Sequence, residues 1–344
     1  GAGTTPSPGV VARFHLADAI FQPKIAERTA WARSHAADAV TQDRMLDAAL
    51  GYLELLESAQ AIAIAEDEYQ HTAQLADVTD AFARTGQGLQ SDADRLQTEL
   101  SLRKNGVIRA QERFAVASAR LAEVISLDCR YHLLPCEVTI APIDLVTLET
   151  PHCQLLTTGL SHRAELRESR CLVAEACERL KREKYAPLVP SVLMGVSYDG
   201  FGGGNGSTIS SFHDRADFDA MALWEIRNLG FGERAARQTV GSQLEQVKFQ
   251  QLRLMDRIAR EVAEAVAQCQ SRQQQIQIAE QAIATAEASY ERNTSRIHQG
   301  QGLPIEALQS IQALAAARRE YLSAVMDYNE AQFRLQRALG WPVG

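Results

Sequence analysis

The sequence predicts a mainly α protein with a small β part, organised as two long helical hairpins in tandem. Two stretches rich in Ala, Leu, Glu, Gln and Arg, from Pro23 to about Thr85 and from about Gly232 to His298, predict very long helices that need lateral support. Short segments of alternating polarity predict the β part. An offset of 214 residues places Gly86-Gln87-Gly88-Leu89 on Gly300-Gln301-Gly302-Leu303, with ungapped similarity on both sides. The chain is therefore predicted to be a duplicated helical hairpin.

Five segments are predicted along the chain, with boundaries at changes of composition. They are a β-strand region at 1–21, a first long helical hairpin at 22–126, a connection with a short helix at 127–186, a β-hairpin at 187–230 and a second long helical hairpin at 231–344. The first strand is expected from Val10 to about Phe21. The short helix of the third segment is expected from about His162 to Lys184.

Capping residues predict where the helices begin and end. Ser91 is expected to N-cap the second helix, with Asp94 three residues further on. Pro304 suits the first turn of the last helix, and Gly340 suits its C-terminal end. No run of about 18 consecutive apolar residues occurs, so no transmembrane helix is predicted.

Composition argues against several classes of protein and site. The 35 Lys+Arg against 43 Asp+Glu give a net charge of −8 without a long basic run, so nucleic acid is not expected as a partner. The sequence has no HExxH pair, GxSxG elbow or P-loop lysine, so neither an enzyme nor a cofactor is expected. The six cysteines include no CxxC pair, so no metal site is expected. Cys129 and Cys136 flank a short loop with a proline, and both a disulfide and free thiols remain open.

One face of the predicted strands is apolar and the other is largely polar. The apolar positions are Val10, Ala12, Phe14, Leu16, Phe218, Ala220, Ala222, Trp224 and Ile226. A soluble sandwich buries such a face, whereas a membrane barrel turns it to lipid, and periodicity does not choose between them. Strands of about ten residues match a tilted membrane crossing. The few strands predicted cannot close a barrel, so the membrane interpretation requires several copies of the chain.

Four features, in their order and spacing, carry a family resemblance. The two turns share Gly-x-Gly-Leu, and Asp92 or Glu306 lies six residues after the first glycine of its turn. The strand pair follows Leu188-Val189-Pro190-Ser191, and the second strand leads to its helix through Trp224-Glu225-Ile226-Arg227-Asn228-Leu229-Gly230-Phe231-Gly232. In these features the chain resembles the TolC-like outer-membrane efflux protein (OEP) family over nearly its whole length.

The resemblance implies a passive exit duct with a gated periplasmic tip, in a tripartite efflux or type I secretion system. It implies a homotrimer whose protomers share one β-barrel in the outer membrane of a Gram-negative-type cell, above a long periplasmic α-barrel. The implied partners are outer-membrane lipid, a periplasmic adaptor (membrane fusion) protein and, through the adaptor, an inner-membrane pump. The family has a further strand before the first long helix. A signal peptide, an N-terminal segment and a first strand are therefore expected to be missing from this sequence, unless a loop has been closed up.

The resemblance also points to residues at the hairpin turns. Glycine allows close backbone approach and leucine supplies an apolar contact, so the turns would form the surface for the adaptor. The residues concerned are Gly86, Gly88, Leu89, Gly300, Gly302 and Leu303. Asp92, Asp94 and Glu306 would form a ring of gate carboxylates that selects or binds cations. Three alternatives stay open: the glycines only close hairpins, the acids only favour helix N-termini, or the chain is a soluble or periplasmic coiled-coil scaffold or adaptor.

Overall fold

A computed structural model describes residues 3–4, 9–128, 130–137, 139–203 and 210–341. Its helices are α1 (Leu16–Arg84), α2 (Gln90–Val124), α3 (His152–His162), α4 (Ala164–Tyr185), α5 (Phe231–His298) and α6 (Pro304–Ala338), and its strands are β1 (Gly3–Thr4), β2 (Val10–His15), β3 (Ser191–Gly203) and β4 (Ser210–Leu223). The predicted fold class, mainly α with a small β part, is confirmed. α1 and α5 have 69 and 68 residues, and each precedes a helix of 35 residues, α2 or α6. The predicted duplication thus appears as matched helix lengths.

The strand predicted from Val10, which is β2, is shorter than the sequence predicts. It ends at His15 rather than near Phe21, and α1 follows directly. Asp18, in the first turn of α1, pairs with Arg182 at 2.7 Å, and this tertiary contact supports the earlier start of the helix. Pro23 is therefore the eighth residue of α1, beyond its first turn, where it cannot donate the helical hydrogen bond to the Ala19 carbonyl oxygen.

Two other helix boundaries also differ from prediction. The sequence predicts one short helix from about His162 to Lys184, whereas the structure has a separate helix, α3, before it. A Cβ at Gly159 would lie 3.0 Å from Val262 Cγ2, so close packing accounts for the glycine. The predicted cap of α2 by Ser91 with Asp94 is wrong: the N-cap is Leu89, without a side-chain hydrogen bond. Its extended backbone enters the helix directly from the turn.

The chain divides into two compact units. The first comprises Gly1–Asp38 and Ala164–Asp256, and the second comprises Ala39–Arg163 and Arg257–Gly344. The first unit contains the sheet and α4 with the N-terminal parts of α1 and α5. The second contains the rest of those two helices with α2, α3 and α6. The five-segment division made from the sequence remains a prediction.

β3 is the central strand of the antiparallel sheet in the first unit. β4 pairs with one edge of β3 along its length, from Ser191 opposite Leu223 to Gly203 opposite Ser210. β1 and β2 lie along the other edge. β4 ends at Leu223, so the prediction that strand alternation continues through Ile226 is wrong.

The strand register aligns the apolar positions into one continuous face. Val196 of β3 lies between Val10 of β2 and Phe218 of β4. The residues that share this face are Val10, Ala12, Phe14, Val192, Met194, Val196, Tyr198, Ala216, Phe218, Ala220 and Ala222. Val10 and Phe218 are 75% and 68% exposed. This face is therefore an exposed apolar surface rather than one side of a core.

In the second unit, the long helices form the core. α1 contacts α2 through Leu55 with Leu121, and it contacts α6 through Leu53 with Leu322. Near the turns, one apolar cluster draws on all four long helices. Its buried members are Leu75, Ala76, Leu96, Ile297, Ala307, Leu308 and Ile311. Both hairpins are therefore packed together close to their turns.

Three buried polar side chains hold the connection between the two repeats. Asn329 Nδ2 donates to the Ala141 carbonyl oxygen at 3.0 Å, and its Oδ1 accepts from the Ile143 N–H at 2.8 Å. Gln332 Oε1 accepts from a backbone N–H of the connection at 3.0 Å, and Ser118 Oγ accepts from another at 2.8 Å. Ser118 and Gln332 are separated by the repeat offset. Both repeats therefore anchor the connection from the same position of their second helix.

The described cysteines are free thiols. They are Cys136, Cys153, Cys171, Cys177 and Cys269. Cys269 is fully buried, and this burial raises the pKa of its thiol to about 11. Of the two cysteines that flank the predicted loop, Cys129 lies outside the described residues and Cys136 is a free thiol.

Among the described helices, α1 contains an 18-residue window that is apolar enough to cross a membrane by length and composition. The sequence predicted no such helix under the stricter requirement of about 18 consecutive apolar residues. A mean hydropathy over 18 residues is less strict, because it allows isolated charged residues. The core helix of a soluble protein can pass the same test. Only 17% of this window is buried in the protein.

Candidate functional site

The two hairpin turns have the same backbone hydrogen-bond pattern. In the first turn, the N–H groups of Gln87 and Gly88 both donate to the Phe82 carbonyl oxygen, at 2.9 and 3.0 Å. In the second turn, the N–H groups of Gln301 and Gly302 both donate to the Arg296 carbonyl oxygen, at 3.0 and 3.1 Å. The sequence repeat therefore corresponds to two copies of one tight turn.

The two glycines of each turn have different roles. Gly86 and Gly300 have φ of +74° and +68°, a left-handed conformation that side chains with a Cβ disfavour. Gly88 and Gly302 have no such requirement, but a Cβ at either would lie within 3.2 Å of the preceding helix. The turn itself thus accounts for all four glycines. Adaptor contact by these glycines remains a separate proposal.

Gly300→Ala is expected to destabilise the protein, whereas Gly106→Ala is expected to stabilise it. The first change forces a residue with a Cβ into the left-handed region, at a cost of about 1–2 kcal/mol. Gly106 lies inside α2, and a Cβ there would meet nothing within 4 Å. Alanine at that position favours the helix by roughly 0.5–1 kcal/mol. Thermal unfolding followed by circular dichroism checks the pair, and a loss of similar size at both sites would contradict the assigned role of Gly300.

An exposed leucine follows the glycines in each turn. Leu89 and Leu303 are 66% and 59% exposed, and each is the extended residue that precedes its helix. Large apolar side chains at a turn are unfavourable in water unless something covers them. The two leucines are therefore a matched pair of exposed apolar side chains on the hairpin turns.

The three acidic candidates lie at the start of α2 and α6. Asp92 and Glu306 are in the first turns, where the helix dipole favours negative charge. Asp94 accepts a hydrogen bond from Gln90 Nε2 at 3.1 Å, and Glu306 pairs with Arg296 at 3.2 Å. Within the described parts of the chain, no group of three or more His, Cys, Asp or Glu could hold a metal ion. Each described partner of Asp94 and Glu306 thus lies within the same hairpin.

An ion-pair cluster in the second unit links helices of the two hairpins, and the sequence did not reveal it. Glu68 of α1, only 7% exposed, pairs with Arg103 of α2 at 3.0 Å and with Arg319 of α6 at 2.8 Å. Glu99 also pairs with Arg103, at 2.9 Å. The repeat offset places alanine opposite Glu68, so internal comparison carried no signal for this cluster.

A second polar link in the same unit involves His71. Its Nδ1 hydrogen-bonds with the Tyr290 hydroxyl of α5 at 2.7 Å, and its Nε2 lies 3.2 Å from Asp67. Asp67 in turn pairs with Arg318 of α6. Burial raises the pKa of Tyr290. α1, α5 and α6 are therefore joined by polar contacts as well as by apolar packing.

Comparisons with known proteins give matches at the level of structure. No family model and no curated protein matches the sequence. The solved structure of CusC matches with a TM-score of 0.80 and 18% identity, covering 99% of this chain and 82% of that one. The CmeC outer-membrane channel of Campylobacter jejuni matches with a TM-score of 0.81 and 12% identity, covering 99% and 75%. The chain has the TolC-like outer-membrane channel fold.

A third solved structure with the TolC-like fold aligns with the whole of this chain. The outer-membrane protein VceC from Vibrio cholerae matches with a TM-score of 0.77 and 14% identity, covering 100% of this chain and 86% of that one. These structural neighbours are channels or outer-membrane proteins rather than enzymes. The TolC-like fold thus accounts for the duplicated hairpins together with the small sheet.

Proposed function

We propose that the chain is one protomer of a homotrimeric outer-membrane channel in a Gram-negative-type cell. The observation that carries the proposal is the continuous exposed apolar face of the sheet, in a chain with the TolC-like fold. A sheet can present such a face without a protein cover when the surrounding medium is lipid. The opposite face, with Arg13, Ser197 and Asp219, would then line a water-filled lumen.

Several copies of the chain are needed to complete the sheet. Among the described strands, β2 and β4 each pair with β3 on one side only. Unpaired backbone N–H and C=O groups are strongly disfavoured in hydrocarbon, so strand edges in a membrane must be closed. Pairing between protomers would satisfy these edges, and the homotrimer implied by the TolC-like resemblance is our proposed assembly.

The channel would serve as the exit duct of a tripartite efflux or type I secretion system and conduct substrates passively out of the periplasm. We propose that the turns bind a periplasmic adaptor, and through it the duct would reach an inner-membrane pump. The exposed Leu89 and Leu303 supply an apolar surface suited to a helical hairpin of the adaptor. Of the four glycines proposed for this surface, at 86, 88, 300 and 302, Gly86 and Gly300 would leave the backbone open to the adaptor, because a Cβ there would meet nothing within 4 Å.

Asp92, Asp94 and Glu306 are the proposed gate carboxylates at the periplasmic tip. Threefold symmetry would repeat each acid around the axis, and such a ring attracts cations. Arg296 pairs with Glu306 and offsets part of its negative charge. We therefore expect Asp92 and Asp94 to influence cation binding more than Glu306 does.

Single-channel conductance in planar bilayers tests both the channel and the gate. The purified protein is compared with Asp92→Asn, Asp94→Asn and Glu306→Gln, and with Glu112→Gln on the exposed surface of α2 as a control. We expect discrete conductance, with cation block weakened most by the two aspartate changes and unchanged by the control. If none of the three acid substitutions changes the cation block, the proposed gate is contradicted and the proposed channel stands. A folded protein that forms no channel and stays soluble without detergent would contradict the channel and favour a scaffold.

A further inference from the structure

The segment that joins β4 to α5 contains a left-handed turn. Asn228, Leu229 and Gly230 have φ of 51°, 58° and 94° in succession. Asparagine and glycine adopt this conformation readily, but a leucine there is strained. Because such strain persists only where surrounding contacts impose it, the turn is a feature that the neighbouring structure maintains.

Arg227 supplies the contacts that hold this turn. Its guanidinium donates to both carboxylate oxygens of Glu233, at 2.8 and 3.0 Å, and to Glu183 at 2.9 Å. The side chains of Glu233 and Glu183 are only 9% and 14% exposed. Gly232 allows the approach, because a Cβ there would lie 2.9 Å from Arg227 Cβ. Arg227, directly before the left-handed turn, and Glu233, three residues after it, are thus joined by a bidentate ion pair.

Exposed apolar side chains in and around this turn form a group at the end of the sheet, which we call the apolar collar. Leu229 is 94% exposed, more than any other large apolar residue whose exposure the structure describes. The other members of the collar, also exposed, are Leu188, Trp224, Ile226 and Phe231. Three exposed basic residues, Lys184, Arg234 and Arg237, lie close to the collar in sequence. Apolar and aromatic side chains followed by basic ones are typical of a membrane–water interface.

We propose that the apolar collar is a membrane-interface anchor, in which the left-handed turn inserts Leu229 and Phe231 where lipid hydrocarbon meets the headgroups. The inference rests on the proposed channel function. Lipid is favoured as the occupant because Trp224 comes two residues after Ala222 of the apolar sheet face, so the collar continues that face. Burial of a leucine side chain in hydrocarbon offsets a strain of this kind, whereas exposure to water does not.

Tryptophan fluorescence in vesicles tests the anchor. The protein carries Trp31→Phe, Trp224→Phe and Trp341→Phe, so that one introduced tryptophan reports its own surroundings. The three reporters are Leu229→Trp at the collar, Phe218→Trp on the apolar sheet face and Gln238→Trp on the exposed surface of α5. Each assembled protein is reconstituted in phosphatidylcholine vesicles. Quenching by lipids brominated near the headgroup or near the chain end is compared with quenching by aqueous acrylamide.

We expect Leu229→Trp to be quenched most by bromines near the headgroup, Phe218→Trp most by deeper bromines, and Gln238→Trp most by acrylamide. Adding Arg227→Lys removes the bidentate contact and should shift only the Leu229→Trp signal towards acrylamide. If brominated lipids quench Phe218→Trp while only acrylamide quenches Leu229→Trp, the anchor is overturned and the channel stands. If neither senses lipid, the proposed function fails as well.

A neighbouring protomer is the other possible cover for the collar. Shielding of Leu229→Trp from both lipid and acrylamide would indicate such a contact and would overturn the lipid anchor. A photo-crosslinking residue at position 229 in the otherwise unchanged protein gives an independent answer if the tryptophan-free background does not assemble. Crosslinks to phospholipid support the anchor, and crosslinks to protein or to nothing overturn it.

Discussion

Val196→Arg is expected to abolish assembly in the membrane, whereas Ser197→Arg is expected to leave it intact. Val196 lies between Val10 and Phe218 on the apolar sheet face, and Ser197 lies opposite Asp217 on the other face. Arginine on the lipid face of a membrane barrel costs about 2–4 kcal/mol at the midplane, and every copy in the oligomer incurs that cost. Arginine at position 197 would instead face the lumen, close to a carboxylate.

The two neighbouring substitutions form a matched pair, because they introduce the same side chain one residue apart on opposite faces. The measurement is the fraction of protein found as oligomer in the outer-membrane fraction. We expect wild-type levels for Ser197→Arg and little or none for Val196→Arg. Equal behaviour of the two variants would contradict a lipid-facing sheet and thereby the proposed channel.

Asn329→Leu is expected to cause a large loss of stability centred on the connection between the repeats. Asn329 is 1% exposed, and its side chain hydrogen-bonds the backbone at Ala141 and Ile143. Leucine has a similar size but leaves both backbone groups without their partner. Each unsatisfied buried group costs about 1–3 kcal/mol. We expect a lower thermal midpoint together with faster hydrogen exchange in residues 139–146.

Gln274→Leu is the control for this change, because it makes the same kind of polar-to-apolar substitution at an exposed position of α5. It is expected to alter stability by less than about 0.5 kcal/mol. Hydrogen exchange that accelerates throughout the protein, rather than first in the connection, would contradict a local role for Asn329. An unchanged midpoint would show that the two hydrogen bonds contribute little.

Local sequence features predicted most of the long helices and both turns. The Gly-x-Gly-Leu pattern depends on contacts within a few residues, so its recurrence at Gly86 and Gly300 was enough to predict two equal turns. The end of the first strand, the start of α2 and the existence of α3 were mispredicted. Packing against another element bears on two of these, through Arg182 beside Asp18 at the start of α1 and through Val262 beside Gly159 in α3, whereas α2 begins directly from its turn.

The positions of the candidate residues in the turns were predictable from the sequence, whereas their adaptor-binding and gating roles stay predictions. The turn glycines and leucines lie where the sequence placed them, because they belong to one short segment each. Contacts elsewhere in the chain, between residues far apart in sequence, were not predictable. Glu68 meets Arg319, and Arg227 meets Glu183, across separations that no sequence pattern marks. Such pairs form only when packing brings two distant helices, or a helix and a turn, together.

The sequence by itself determined the duplicated hairpins, the alternation of the strands and the acidic residues at the helix starts, since each depends on near neighbours and on side-chain periodicity. Only the tertiary structure decided that the apolar strand positions share one face, because the register between strands is a long-range property. It likewise decided that Arg227 holds Leu229 in a strained and exposed turn, because that conformation depends on carboxylates from α4 and α5.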